Sequence, residues 1–337
     1  MLEYSNCGRD PRTPFFEAAV GMNVKAYRSL LRRWLGITAG ASYYHVDQPV
    51  GKRFDRSSVK GYYNDLTGKA DWRGEADEAG MPVNVLTNGE RVYFPITIAQ
   101  MALGVHDRWL ETGRADLRER FIALAGWLER NQDERGGWNN PWIHLRPSCV
   151  SGYSAMAQGQ GISVLVRSHT LAAGDHPLDR ARRAFELLVR PVESGGCSYL
   201  EGGNLYLEEY PERPRSTVLN GWVFAAFGLH DLSLATRDAA VEDALTQTLA
   251  TIAREIPAYD CGYWSLYDRR GAMASPFYHR LHVALLDALH AITGVAAFDE
   301  YSALWRGYEG RMLNRSRALI VKMRQKLKNP ERVAIAR

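Results

Sequence analysis

The sequence predicts a mainly α protein, an α/α barrel (toroid) of helical hairpins with a small β or irregular N-terminal part. Apolar residues recur at helical spacing in eight successive stretches, and Gly-rich turns separate several of them. Small residues such as Ala99, Gly104 and Gly159 fall on faces expected to point inward, as a closed ring of helices requires. The eight stretches are residues 95–112, 115–131, 154–173, 177–190, 215–234, 239–255, 276–293 and 296–308.

The pattern divides the chain into four regions. Residues 1–36 are predicted to form an N-terminal helical arm, because the stretch 15–36 is amphipathic and basic. Such a helix packs on its own domain or on a second subunit, so the sequence allows a homodimer. Residues 37–93 are rich in turns and aromatic residues, which favours short strands and loops. Residues 94–310 form the predicted α/α-barrel catalytic domain, and 311–337 a basic C-terminal helix or tail.

Composition and charge narrow the classes of function. A chain of 337 residues with 46% hydrophobic content allows a large core, and a net charge of +4 is too small to predict nucleic-acid binding. The four cysteines have no metal-ligand spacing, so no metal is expected. No nicotinamide-binding glycine fingerprint is present, so we expect no such cofactor. No signal peptide or long apolar run is visible, which predicts no membrane span and favours a cytoplasmic location.

Three clusters of tyrosine with charged residues predict a single site. The first is Glu208-Glu209-Tyr210, which precedes an apolar stretch that contains Asn220. The second cluster is residues 267–270, Tyr-Asp-Arg-Arg, and the third is residues 278–280, Tyr-His-Arg. We expect a groove where three long loops meet, namely residues 132–152, 196–214 and 257–277.

Each of these residues also has an ordinary structural interpretation. Tyr210 could be a loop aromatic, and Tyr278 could be a core residue at the head of a helix. Arg270 could lie in a solvated turn, since paired charges are usually exposed. His279 and His282 favour a structural role, because no third metal ligand lies nearby in the sequence.

Six short motifs occur in one order along the chain, and together they are specific. They are Tyr93–Ile96, Gly136–Trp138, Tyr153–Gln160, Glu208–Pro211, Val218–Gly221 and Leu266–Asp268. In these motifs the chain resembles the D-glucuronyl C5-epimerase family, over roughly residues 60 to 290. The loop 139–150, which contains Arg146, and the short run before Tyr278 depart from the family's pattern.

The resemblance implies an α/α barrel that acts on glucuronate residues in heparosan-type chains and converts them to iduronate. It implies that Tyr210, Tyr267 and Tyr278 are catalytic tyrosines and that Glu209 is the carboxylate beside them. It also implies the substrate-binding residues, which are Arg270, Asn220, Tyr153 and Gln160. The expected partner is an acidic polysaccharide or oligosaccharide.

Epimerisation at C5 of a uronate requires a base on one face of the sugar, an acid on the other and a cation for the carboxylate. We hypothesise that Tyr210 and Tyr278 are the two proton-transfer groups, with Tyr267 a third candidate. Arg270 would pair with the uronate carboxylate as a planar fork. Because positive charge favours the phenolate, we expect Arg269 and Arg270 to lower the pKa of a nearby tyrosine.

Three other functions fit the same residues. A polysaccharide lyase removes the same proton but then eliminates across C4–C5. A glycoside hydrolase would use Glu208 or Glu209 with Asp260 or Asp268 as paired carboxylates. A non-catalytic glycan-binding module would use the tyrosines only to stack sugars.

Overall fold

The computed structural model describes residues 46–86, 88–141, 143, 146, 148–171 and 175–328. The predicted N-terminal arm and the end of the predicted basic tail lie outside these residues. From Val46 onward the chain forms one compact unit.

The described residues are mainly helical, as the sequence predicts. Every predicted helical stretch contains a helix whose ends lie within a few residues of the predicted ones. A further helix follows in the predicted basic tail. The helices are α1 (Pro95–Thr112), α2 (Ala115–Arg130), α3 (Ala155–His169), α4 (His176–Val189), α5 (Leu219–Thr236), α6 (Ala239–Glu255), α7 (Pro276–Thr293), α8 (Ala296–Glu309) and α9 (Met312–Lys328).

The helices pack as hairpins around an inner row. Helices α1, α3, α5 and α7 contact one another in that order, and α2, α4, α6 and α8 each pack against the preceding member of the row. Burial follows this arrangement. Helices α3 and α5 are buried on almost every face, whereas α4 and α6 bury only one stripe. The sequence differs accordingly, since α5 is apolar nearly throughout and α4 is strongly amphipathic.

Glycines allow the inner helices α3 and α5 to approach closely. A Cβ atom at Gly228 would lie 2.3 Å from the carbonyl oxygen of Gly159, and one at Gly159 would lie 2.5 Å from Cα of Ala225. Backbone therefore packs on backbone at this crossing, which leaves no room for a larger residue.

In the part of the chain that the structure describes, two small antiparallel sheets accompany the helices. The strands β1 (Glu75–Ala76), β2 (Pro82–Val85) and β3 (Arg91–Val92) form one sheet, within the region predicted to contain short strands and loops. The strands β4 (Ser198–Glu201) and β5 (Asn204–Leu207) form a hairpin. Its two-residue turn is Gly202-Gly203, and both glycines have positive φ, which glycine adopts without strain. Strand β5 ends at Leu207 and leads directly into Glu208-Glu209-Tyr210.

A buried polar network joins the segment before the helices to α3 and α5. Arg167 of α3 pairs with Asp231 of α5 at 2.6 Å, and both side chains are about 1% exposed. The same guanidinium donates to the carbonyl oxygens of Lys60 and Gly61, both at 2.9 Å. The Tyr63 hydroxyl donates to the other oxygen of Asp231 at 2.8 Å. Because the buried ions are both paired and hydrogen-bonded, the network fixes the segment against the helical core.

Candidate active site

The three long loops meet beside the first turns of α3, α5 and α7. Val150 N donates to Pro211 O at 2.9 Å, which joins the first loop to the second. Leu219 N donates to Tyr267 O at 3.1 Å, which joins the start of α5 to the third loop. Backbone pairing between distant segments therefore assembles the region where a groove is expected.

Tyr210, Tyr267 and Tyr278, which are far apart in the sequence, come together there. The rings of Tyr267 and Tyr278 make an edge-to-face contact, with centroids 4.8 Å apart and planes at 64°. Tyr278 lies in the first turn of α7, where Ser275 caps the helix by accepting a hydrogen bond from Tyr278 N. Tyr210 is close enough to both rings to interact with them electrostatically.

Glu209 lies beside these tyrosines and is 5% exposed. Its carboxylate lies close enough to the Tyr210 hydroxyl to raise the pKa of that phenol, and Asn220 Nδ2 lies 3.4 Å from Glu209 Oε2. A Cβ atom at Gly221 would lie 2.4 Å from the same oxygen, so only glycine lets the carboxylate rest on the start of α5. Burial is the largest influence on this group and raises the pKa of Glu209 to about 7.

Arg146 supplies a cation that sequence reasoning did not assign to the site. Its guanidinium carbon lies 3.9 Å from the centroid of the Tyr210 ring, a cation–π contact. We call Tyr210, Tyr267, Tyr278, Glu209 and Arg146 the tyrosine cluster. A single arginine in a long loop carries no distinctive pattern, so only the backbone pairing of that loop reveals its place.

The expected lowering of a tyrosine pKa is wrong for Tyr210 and Tyr267. Burial raises the pKa of both phenols well above the usual value, and the Glu209 carboxylate raises both further. Arg146 acts in the opposite direction but is outweighed. The sequence shows which charges are near, but it does not show the loss of water, which is the larger effect here.

Arg270 and Arg146 converge on one buried carboxylate, Glu212. Arg270 Nη1 lies 2.8 Å from Glu212 Oε2, and Arg146 Nη1 lies 3.2 Å from Glu212 Oε1. Ser148 Oγ donates to Oε1 at 2.9 Å, and Arg270 also donates to Pro214 O. Glu212, which the sequence analysis did not single out, therefore holds two guanidinium groups together at the edge of the tyrosine cluster.

Glu208 is fully buried and shapes the loop before α5. Thr217 donates to it twice, from its backbone N at 2.8 Å and from its hydroxyl at 2.5 Å. Thr217 has φ of 43°, which a β-branched residue rarely adopts, so these bonds stabilise a strained turn. Burial raises the pKa of Glu208 to about 7.

Tyr153 and Gln160 have their described contacts elsewhere. The Tyr153 hydroxyl donates to Asp133 Oδ2 at 2.7 Å. Gln160 is fully buried on α3, where its side chain neighbours the hydroxyl of Tyr62. The structure brings neither residue into contact with the tyrosine cluster, whereas it does bring Asn220 and Arg270 to its edge.

A neutral histidine network underlies Tyr267 and Tyr278. Ser265 N donates to His279 Nδ1 at 3.2 Å, so the other nitrogen of that ring, Nε2, donates to Trp305 O at 2.9 Å. His282 Nδ1 lies 3.0 Å from Ser265 Oγ. Burial lowers the pKa of His279 to about 4 and of His282 to about 3, which keeps both imidazoles uncharged at neutral pH. These contacts are those of a structural pair.

The comparisons with known proteins identify the family. A family model described as D-glucuronyl C5-epimerase C-terminus matches residues 132–307, just over half of the chain. The chain belongs to this family. The resemblance predicted from the six motifs is thereby confirmed, and the matched span contains every residue of the tyrosine cluster.

Two curated relatives extend the comparison. The D-glucuronyl C5-epimerase of Caenorhabditis elegans is 33% identical over 215 residues, which are 56% of this chain and 34% of that protein. An uncharacterized protein of Methanocaldococcus jannaschii is 27% identical over 156 residues, which are 45% of this chain and 51% of that protein. The matches thus span about a third and about a half of the lengths of these relatives.

The described residues of this family member hold neither a cluster of metal-ligating side chains nor a helix that could span a membrane. Within them, no three His, Cys, Asp or Glu side chains lie close enough together to hold a metal ion. No described helix is both long and apolar enough to cross a bilayer. The described cysteines, Cys149, Cys197 and Cys261, are free thiols.

Proposed function

We propose that the protein is a C5-epimerase that converts D-glucuronate to L-iduronate residues within an acidic, heparosan-like polysaccharide. The observation that carries the proposal is the meeting of Tyr210, Tyr267 and Tyr278 with Glu209 and Arg146 in one partly buried cluster. Family membership supports the same reaction, because the name of the Caenorhabditis elegans relative denotes it.

In the first step, Tyr210 removes the C5 proton. A phenol with a raised pKa is a strong base only once its own proton has left, and Glu209, which lies beside Tyr210, takes that proton. With a pKa of about 7, Glu209 is substantially ionised at neutral pH and able to accept it. The electrons of the C5–H bond then pass into the uronate carboxylate, which becomes an enediolate.

In the second step, Tyr278 returns a proton to C5 from the opposite face of the sugar. The enediolate electrons form the new C5–H bond, and Tyr278 is left as a phenolate. Tyr267, in edge contact with Tyr278, passes a proton that restores it. Glu209 then gives the proton gained in the first step to the Tyr267 phenolate, whose electrostatic neighbour it is, so each group regains its starting state. Side chains carry every proton in this scheme.

The developing charge on the uronate carboxylate is stabilised by cations at the edge of the cluster. Arg270 and Arg146 are each about a third exposed, so their outward N–H groups face solvent while the inner ones bind Glu212. We assign the carboxylate to these outward groups and to Asn220.

We propose that the inner row of helices closes into a toroid, with the tyrosine cluster at the end where the long loops meet. We also propose that residues 94–310 form a catalytic domain with flanking parts on either side. The chain is further proposed to assemble as a homodimer.

Incubation of the protein with heparosan in deuterated water tests the function. We expect deuterium to appear at C5 of the uronate residues, and iduronate to appear in the recovered chains, with chain length unchanged. If no uronate exchanges its C5 proton for deuterium at any pH tested, the proposal of an epimerase is contradicted.

The same incubation separates the alternatives. A lyase would shorten the chains and produce the ultraviolet absorbance of an unsaturated uronate. A hydrolase would produce new reducing ends. The geometry does not favour the hydrolase, because Asp268 caps a turn through its bonds to the backbone of Arg270 and Ala272, and Asp260 accepts from Tyr308.

A further inference from the structure

Helix α9, which lies near the site, carries charged side chains of one sign only. Its 17 residues include no acidic side chain, and the helix lies outside the span that matches the family model. Its cations are Arg315, Arg317, Lys322, Arg324, Lys326 and Lys328. A helix with charge of one sign has no internal ion pairs to stabilise it, so this composition points to a partner of opposite charge.

The helix is attached to the loop that carries Tyr267. Gln325 accepts a hydrogen bond from Met273 N at 2.8 Å and donates to Gly271 O at 2.9 Å. Lys322 Nζ lies 5.7 Å from the centroid of the Tyr267 ring. Because Lys322 contacts Tyr267, a member of the tyrosine cluster, α9 lies directly beside the candidate site.

Helical periodicity places further cations in line with Lys322. Residues seven and four positions apart share a face of an α-helix, so Arg315, Lys322 and Lys326 lie on one side of α9. With a rise of 1.5 Å per residue, these cations follow one another at intervals of roughly 10 and 6 Å along the axis. Arg315 is exposed and Lys326 is partly exposed. We call these three residues the cation face.

We propose that the cation face of α9 is a docking surface for the stretch of acidic polysaccharide next to the uronate bound at the tyrosine cluster. The inference rests on the proposed function, since it assumes that a uronan enters the site. The middle member of the cation face, Lys322, lies beside Tyr267, and Arg315 and Lys326 extend the positive charge along α9 to either side of it. Such a line matches a polymer with repeated carboxylates, whereas a short substrate reaches only the member beside the site.

The double variant Arg315→Gln/Lys326→Gln tests this surface, with Lys322 left in place. We expect KM for long heparosan chains to rise about three- to tenfold, as loss of two exposed ion pairs implies, with kcat unchanged. KM for a tetrasaccharide should not change, and the difference between variant and wild type should shrink as salt is added. The matched control is Arg118→Gln/Arg130→Gln, which removes the same charge from α2.

Two outcomes overturn the docking surface. One is an unchanged KM for the long polymer in the double variant, and the other is an equal rise in the α2 control. Circular dichroism and the melting temperature establish that both variants fold.

A binding measurement separates this inference from the proposed reaction. The wild type, the double variant and the control are eluted with salt from a heparosan column. Earlier elution of the double variant alone supports docking even if the wild type exchanges no C5 proton, in which case the epimerase proposal fails by itself. Coincident elution of all three proteins contradicts the docking surface whatever the activity.

Discussion

At the level of single residues, the candidate site combines buried phenols with a carboxyl group that titrates near neutral pH. Burial keeps Tyr210 and Tyr267 protonated, whereas Glu209 changes its charge close to pH 7. One resting state thus holds both proton donors and a proton acceptor, which a two-face proton transfer requires.

Replacement of Tyr210 by phenylalanine removes one hydroxyl and keeps the ring under Arg146. We expect kcat for C5 exchange to fall about 10²–10⁴-fold, the usual contribution of a positioned proton-transfer group. Tyr93→Phe is the control, because that tyrosine is 40% exposed and bonds to Asp77 outside the cluster. An active Tyr210→Phe enzyme would remove Tyr210 from the mechanism.

The pH dependence of activity should follow Glu209. Its folded pKa is raised to about 7, so the ionised form that accepts a proton increases as pH rises through that value. We expect kcat/KM for C5 exchange to rise with pH between about 6 and 8 and then level off. Glu209→Gln should lose both the activity and this rise, and a profile that falls over the same range would contradict the assigned role.

At the level of elements, close helix packing positions the site. The first turn of α5 carries Asn220 and Gly221 against Glu209, and α3 determines the position of α5 through the contact of Gly159 with Gly228. An added methyl group at that crossing would displace α5, and with it Asn220 and Gly221 at the start of the helix.

Gly228→Ala should therefore destabilise the protein by about 1–3 kcal/mol, because the added Cβ meets the backbone of Gly159. Gly307→Ala is the matched control. Gly307 also lies within a helix, but nothing lies within 4 Å of its added Cβ, so we expect a gain of about 0.5–1 kcal/mol. Urea denaturation measures both values, and equal effects would mean that the close approach has no energetic weight.

Local periodicity predicts the helices well but not the pairing between distant segments. The helix predicted from residue 215 begins at Leu219, because residues before it pair with the Tyr267 segment, as the bond from Arg269 N to Ser216 O illustrates. Two members of the site, Arg146 and Glu212, were missed for the same reason. Tyr210 and Tyr267 could be found from their motifs, and Tyr278 from the Tyr-His-Arg run at 278–280, since each of these patterns is local in sequence.

At the level of the whole molecule, buried carboxyl groups link stability to pH. The pKa of Glu208 rises from 4.5 to about 7 on folding, so between these values the folded protein binds more protons than the unfolded chain. Its stability should therefore fall as pH rises from about 4.5 to 7, by about 3 kcal/mol for this group. Urea midpoints at pH 5 and pH 8 measure the change, and Glu208→Gln should reduce it.

The network around Arg167 and Asp231 determines where the chain can be shortened. A polypeptide that begins at Phe94 would keep helices α1 to α9 but lose the two carbonyl groups and the Tyr63 hydroxyl that complete this network. It would also expose the Phe227 ring, on which Tyr63 stacks with centroids 4.3 Å apart. We expect that fragment to aggregate, while one that begins at Val46 melts cooperatively. The smallest fragment that folds is therefore expected to be larger than the set of helices.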